Sequence, residues 1–251
     1  MRSFVGSEWL KYRRTLTPWL VVAGPFIFAL MQMVFGLLIP GGVDWSLALM
    51  NIYNWWSGFG LPFGIILLTA LSVSYERKAG AWRLLRAYPV KGGNLYFSKF
   101  IVIALQTLIA CIFLGLFIIL LCSWSVTGTI PWGPIALGIT ISWLTSLAQI
   151  AFMLWAAHMF GFGLTILIGL AGMICGILQN NRIEGWMLLP WQWPLRALGA
   201  LFGFQTNGMP LDPSSPLLDN KLIITAIIAS LSVCVALSVA GAAWFKRREV
   251  Q

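Results

Sequence analysis

The stretch that decides the fold is LIITAIIASLSVCVALSVAGAAWF, residues 222–245. It carries no charged side chain and is followed at once by Lys246, Arg247 and Arg248. A helix crosses the hydrocarbon core of a bilayer with about 20 apolar residues, and this stretch is long enough. A barrel strand would alternate apolar and polar residues over about ten positions, whereas these positions are continuously apolar. Five more such runs precede it, at Leu16–Ile39, Trp55–Tyr75, Leu95–Trp124, Pro134–Ala157 and Phe162–Leu178. Together they predict an all-α polytopic membrane protein of six transmembrane helices. The composition agrees: 59% of the 251 residues are hydrophobic and 9% charged, against roughly 25% charged in a soluble domain. The first run is too long for a signal-peptide core and others follow it, so it reads as a retained helix.

Orientation follows from the basic residues. Arg2, Lys11, Arg13 and Arg14 precede the first span. Arg77, Lys78, Arg83, Arg86, Lys91 and Lys99 lie in or beside the connection between spans two and three, and Lys246, Arg247 and Arg248 follow the last span. Thirteen of the sixteen basic residues thus fall on one side, and the other side keeps Arg182, Arg196 and Lys221 with Asp44, Glu184, Asp212 and Asp219. The first side is expected to be cytoplasmic, with both termini there. The net charge of +9 reflects this bias and contact with anionic lipid, not a nucleic-acid partner.

Enzymatic chemistry finds little support. There is no GxxxxGK(S/T) phosphate loop and no HExxH pair. His158 is the single histidine, too few for a zinc site or a Ser-His pair. It reads as an interfacial polar anchor. Cys111, Cys122, Cys175 and Cys234 all sit in apolar runs and read as small buried hydrophobes. The spans show essentially no ionisable residue of the kind that marks an ion-coupled carrier. Gln32, Gln106 and Gln149 are the main polar side chains at depth, either bonding between helices or lining a pathway. No catalytic or metal-binding residue is expected, and the energy source is expected to lie on a partner.

Two short amphipathic segments flank the spans. At 100° per residue, Trp82, Leu84, Leu85 and Tyr88 gather on one face of a helix over Ala79–Tyr88, and Arg83 and Arg86 fall on another. Glu76 stands near its start and Pro89 ends it. Such a helix either lies on the membrane surface or docks into a groove on a cytoplasmic protein. Near the N-terminus Phe4, Val5, Trp9 and Tyr12 share an arc, away from Lys11, Arg13 and Arg14. Glu8 falls inside that apolar arc, within reach of Lys11 or Tyr12. Between spans five and six, residues 179–220 form the longest connection, rich in Pro and Trp. Its Leu188–Phe204 part is too apolar for a free loop and reads as re-entrant or interfacial.

These segments resemble the membrane subunits of ABC-2 type transporters, most of all the lantibiotic-immunity permeases. Residues 7–14, SEWLKYRR, resemble the family's elbow helix, with an acidic residue, Glu8, before Trp9 and Lys11. Residues 76–90, ERKAGAWRLLRAYPV, resemble its coupling helix, with a leading Glu, a closing Pro and Lys99 opening the third helix. Residues 188–194, LLPWQWP, resemble the Pro-Trp segment of the immunity permeases.

The resemblance covers the whole chain and implies one ABC-2 type domain over 1–251: an elbow at 1–15, a coupling helix at 76–91 and an external segment at 179–220. It implies a bacterial plasma-membrane permease, not itself an enzyme. Two cytoplasmic ATPase subunits would carry the ATP and Mg, and a second permease, identical or homologous, would complete the unit. Glu76, Arg77, Trp82, Arg83, Leu84, Leu85, Arg86, Tyr88 and Pro89 would contact the ATPase. Glu184, Pro190, Trp191, Trp193 and Pro194 would meet a peptide substrate or form a gate, the indoles through cation–π and apolar contact. Asp212 and Asp219 would add attraction for a cationic peptide. Gly60-xxx-Gly64, Gly172-xxx-Gly176 and Gly199-xxx-Gly203 are small-residue patterns compatible with close helix approach. Alternatives stay open: export of another drug, ion or lipid-linked substrate, an ATPase-independent carrier or channel, or a membrane scaffold.

Overall fold

A computed structural model describes residues 2–13, 15–78, 92–179, 185–205 and 207–249, the side chains of 2–4, 77–78, 92 and 245–249 excepted. Helix α1 (Arg2–Tyr12) precedes α2 (Thr17–Leu38), the first span. Strand β1 (Val43–Asp44) leads into α3 (Trp45–Trp55), a π-helical turn (Trp56–Gly60) and α4 (Leu61–Lys78), which together make the second span. Helix α5 (Gly92–Phe117), ending in a π-helical turn (Ile118–Cys122), is the third. After β2 (Val126–Thr127) come α6 (Trp132–Phe160), α7 (Phe162–Gln179), α8 (Gln192–Phe202) and α9 (Lys221–Glu249). Among the described residues, six helices are long and apolar enough to cross a membrane, and no sheet closes into a barrel. The chain is an all-α polytopic membrane protein.

The second span is longer than its sequence suggests. The expected start was Trp55, after a stretch holding Asn51 and Asn54, but the helix begins at Trp45, capped by Asp44 Oδ1 accepting from Leu47 N at 2.8 Å. Neighbouring elements pair with polar side chains of its first three turns. Asn51 Nδ2 donates to Gln32 Oε1 at 2.7 Å, Tyr53 OH to Ile135 O at 3.1 Å, and Asn54 Nδ2 to Gln205 O at 3.2 Å. A paired amide costs little to bury, so the span extends through it.

Helix α6 forms much of the interior. Its Ser142 and Thr145 hydroxyls donate to carbonyls four residues back, and Ser146 to one three back, which lets a polar stripe sit inside an apolar bundle. Ser230 of α9 bridges to it, donating to Leu144 O at 2.9 Å. Gly161 alone joins α6 to α7, at φ +79°. A side chain rarely adopts that conformation. The helix thus runs through His158, past the Ala157 at which the sequence ends the span.

The parallel pair Val43–Val126 and Asp44–Thr127 ties the connection after span one to the one after span three. At the other end, a Cβ on Gly241 of α9 would stand 2.4 Å from the Tyr96 hydroxyl of α5. Only glycine permits that approach. Helices α2, α7 and α9 are the least buried spans, and their outward side chains include Trp19, Leu38, Leu167, Leu178, Ile224 and Val235. Cys111, Cys122 and Cys234 are buried as expected, but Cys175 is exposed on α7.

Candidate functional site

The spans are not free of charge, contrary to the sequence reading. Glu76 is the last residue of the second span and Lys99 lies inside the third. The two meet Glu8 and Lys11 of α1 in one cluster. Glu8 and Lys11 are three residues apart and so share a helix face. Ser72 and Glu76, one turn apart on α4, receive that face: Tyr12 OH donates to Ser72 Oγ at 2.7 Å and Lys11 Nζ to Glu76 Oε1 at 2.9 Å. Lys99 enters from α5. Its ammonium reaches Glu76 Oε1 at 2.6 Å and Glu8 Oε2 at 3.1 Å. Lys11 also pairs with Glu8 Oε1.

Glu8, Glu76 and Lys99 are 1%, 4% and 0% exposed. An isolated buried charge costs several kcal/mol, so each needs the others. Two carboxylates face two ammoniums, and the cluster is neutral. Only Lys11 reaches outward, with 45% of its side chain exposed. Burial by itself lowers the Lys11 pKa, but the Glu76 charge and the Glu8 hydrogen bond outweigh it and hold the ammonium above its ordinary range. Glu76 Oε2 is buried with no hydrogen-bond partner among the described residues. Nearby, Tyr96 lies one turn before Lys99 on α5 and packs on the His158 ring, centroids 5.6 Å apart. His158 is buried, not the interfacial anchor expected, and its Nδ1 lies 2.8 Å from Leu154 O.

The inward face of α1 therefore differs from the expected apolar arc. Glu8 and Tyr12 point in, and Trp9 points out, 43% exposed. Helices α4 and α5 are the two roots of the segment 79–91, so the cluster bolts α1 to both. The rest of the expected coupling surface (Trp82, Arg83, Leu84, Leu85, Arg86, Tyr88 and Pro89, with the Arg77 side chain) lies outside the described residues, as does Glu184.

The Pro-Trp segment folds into the bundle. Every residue from Trp191 to Ala200 is buried. Trp191 fills the surface that Gly172 and Gly176 of α7 leave open: a Cβ on Gly172 would come within 2.6 Å of its ring, and one on Gly176 within 2.9 Å of its Cβ. It also meets Phe152 of α6 edge-on at 5.5 Å. Trp193 Nε1 donates to Met187 O at 3.3 Å, and Pro194 is buried beside it. Neither indole presents an open face to a peptide, and the Gly172/Gly176 pair serves packing within this chain. Pro190 is half-buried at the edge of the segment. Sequence reasoning gave no role to Gln192 and Arg196. Both are buried on α8, with the Arg196 guanidinium 5.9 Å from the centre of the Trp186 ring. The signal was an arginine inside an apolar run.

The three glutamines lie on three helices, and no bond joins them. Gln32 bonds Asn51. Gln106 and Gln149 are buried, with Gln106 Oε1 and both Gln149 amide atoms unpartnered among the described residues. No group of three or more potential metal ligands occurs among those residues.

Six apolar spans, with a neutral buried charge cluster where α1 meets α4 and α5, define the class: an integral membrane protein. More narrowly, the sequence model of the ABC-2 family transporter proteins matches residues 4–176, from α1 through most of α7. The chain belongs to that family and is a membrane subunit of an ABC transporter, a class that works with ABC ATPase subunits. No curated protein and no solved structure matches the chain.

Proposed function

We propose that this chain is the permease of an ATP-driven exporter that expels a lanthipeptide from the membrane and so protects the cell. Two ATPase subunits, holding ATP and Mg, engage residues 76–91 from the cytoplasm, and a second permease subunit, identical or homologous, completes the translocation unit. The observation that carries this reading is the Glu8–Lys11–Glu76–Lys99 cluster. A push on segment 79–91 reaches α4 and α5 at their roots, and the cluster passes it to α1, which leads into the first span. A chain driven by its own ion gradient would need titrating groups along the pathway. The charges here sit instead where an outside motor would press.

The substrate class rests on the likeness of residues 188–194 to the immunity permeases. Buried as they are, Trp191 and Trp193 support it as a brace for α8 rather than as a contact surface. Exposed Met187, Leu188 and Met209, with exposed Asp212 and Asp219 in the same connection, offer the mixed apolar and acidic surface that suits a cationic amphipathic peptide.

The test is to express the chain with its ATPase in a sensitive bacterium and challenge it with lanthipeptides. Protection is expected with both subunits present, and its loss with an ATPase unable to hydrolyse ATP. Protection by this chain alone would favour an ATPase-independent carrier and end the proposal.

A further inference from the structure

An apolar groove of about 430 Å³ runs between α2 and α4. Its walls extend from Leu16 to Phe28 on α2 and, antiparallel, from Leu68 back to Trp56. Each wall is about 18 Å of helix at 1.5 Å per residue. Half of the roughly 30 Å hydrocarbon core is one leaflet, so the groove spans one leaflet and a little more. Phe28 and Trp56 close its deep end, edge to face at 5.7 Å.

Its lining is almost wholly apolar, with Trp56 Nε1 at the deep end buried and without a hydrogen-bond partner among the described residues. No charged side chain lines the groove, and Thr107, its one hydroxyl, donates to Ile103 O at 2.9 Å. Two glycines keep it open. A Cβ at Gly24 or Gly64 would meet nothing within 4 Å. The rims at Trp19, Ile27, Phe59 and Phe63 are exposed, so the groove opens sideways. Its mouth, at Leu16, lies three residues beyond Arg13. Arg13 is exposed in the turn between α1 and α2 and makes no ion pair among the described residues.

We propose that this groove holds one acyl chain of an anionic glycerophospholipid, with the lipid phosphate on Arg13. The length of one leaflet, the dry lining and the basic mouth each match one part of that molecule. A flat helix face would meet lipid without such a slot. The proposal is independent of what the transporter exports.

The full-length chain, purified and stripped of lipid, is titrated with dioleoyl phosphatidylglycerol or dioleoyl phosphatidylcholine, and binding is read by native mass spectrometry. One phosphatidylglycerol is expected to bind tightly, about fivefold better than phosphatidylcholine, from a single basic contact. Gly24→Leu and Gly64→Leu fill the slot and, by excluding about two methylenes, weaken both lipids roughly tenfold. Arg13→Glu lies outside the slot, so the chain folds, and it abolishes the preference for phosphatidylglycerol while chain binding remains. Equal binding by the wild type and both leucine variants would overturn the proposal. So would an unchanged preference in Arg13→Glu, or a disulfide between two copies formed by Gly24→Cys or Gly64→Cys, which would make the groove a subunit interface.

Discussion

At the scale of single residues, Lys99 is the member of the ion cluster with no alternative. It is fully buried and touches both carboxylates. Replacing it by Met leaves two buried carboxylates against one half-exposed ammonium, a loss of about 3–5 kcal/mol. The expected result is a marked fall in thermal unfolding temperature of the detergent-purified chain. Adding Glu76→Gln restores neutrality between Glu8 and Lys11, and the double variant should recover part of that loss. A double variant no more stable than the single one would show that charge balance is not what holds the cluster. Lys11 is different. Its ammonium is half in solvent, which screens the pair, so Lys11→Met should cost much less than Lys99→Met. Its folded pKa lies above the ordinary 10.5, so its contribution is present in full below that value and fades only as pH rises through the raised pKa. Unfolding temperature measured between pH 6 and 9 should therefore show no step from Lys11.

Between elements, two joints matter. The first is α1 against α4 and α5. Tyr12→Phe removes only the hydrogen bond to Ser72, worth about 0.5–1.5 kcal/mol, and should leave the ion cluster assembled. Charge reversal at Arg83 and Arg86 acts on the proposed ATPase contact instead. It should leave unfolding temperature unchanged and uncouple ATP hydrolysis from transport in reconstituted vesicles. The second joint is α8 against α7. Gly172→Leu drives a side chain into the Trp191 ring and should cost about 1–3 kcal/mol by overpacking. Trp191→Ala in the same chain should relieve part of that cost. An additive double-mutant cycle would place the Gly172 effect elsewhere. The segment Leu188–Phe204 was legible as too apolar for a free loop, but the sequence could not say what would cover it. The glycines that receive Trp191 lie in another helix, and pairing across that distance leaves no local pattern.

Over the whole molecule, the connections after spans one, three and five lie at one end: β1–β2 joins the first two, and the Asn54–Gln205 bond ties the third to span two. The opposite end gathers α1, the roots of 79–91 and the close of α9. By the positive-inside rule that second end is expected to face the cytoplasm. In a chain lacking Cys175, Ser214→Cys should react with an impermeant thiol reagent in intact cells, and Arg13→Cys only after the membrane is opened. The reverse pattern would invert the orientation.

The sequence by itself determined the number and kind of spans, because the bilayer demands about 20 apolar residues from any helix that crosses it, and that demand is local. It also marked Glu8, Glu76 and Lys99 without showing that they meet. Only the tertiary structure decided that three helices bring them into one neutral cluster, because a buried charge is tolerable only beside its counter-charge and the partners lie up to 91 residues apart. The same holds for Trp191. Its composition suits a membrane edge or a ligand surface, and only the packing of α8 against α6 and α7 turned it inward. The residues 222–245 that announce the membrane could be read alone, whereas the charges that announce a function could not.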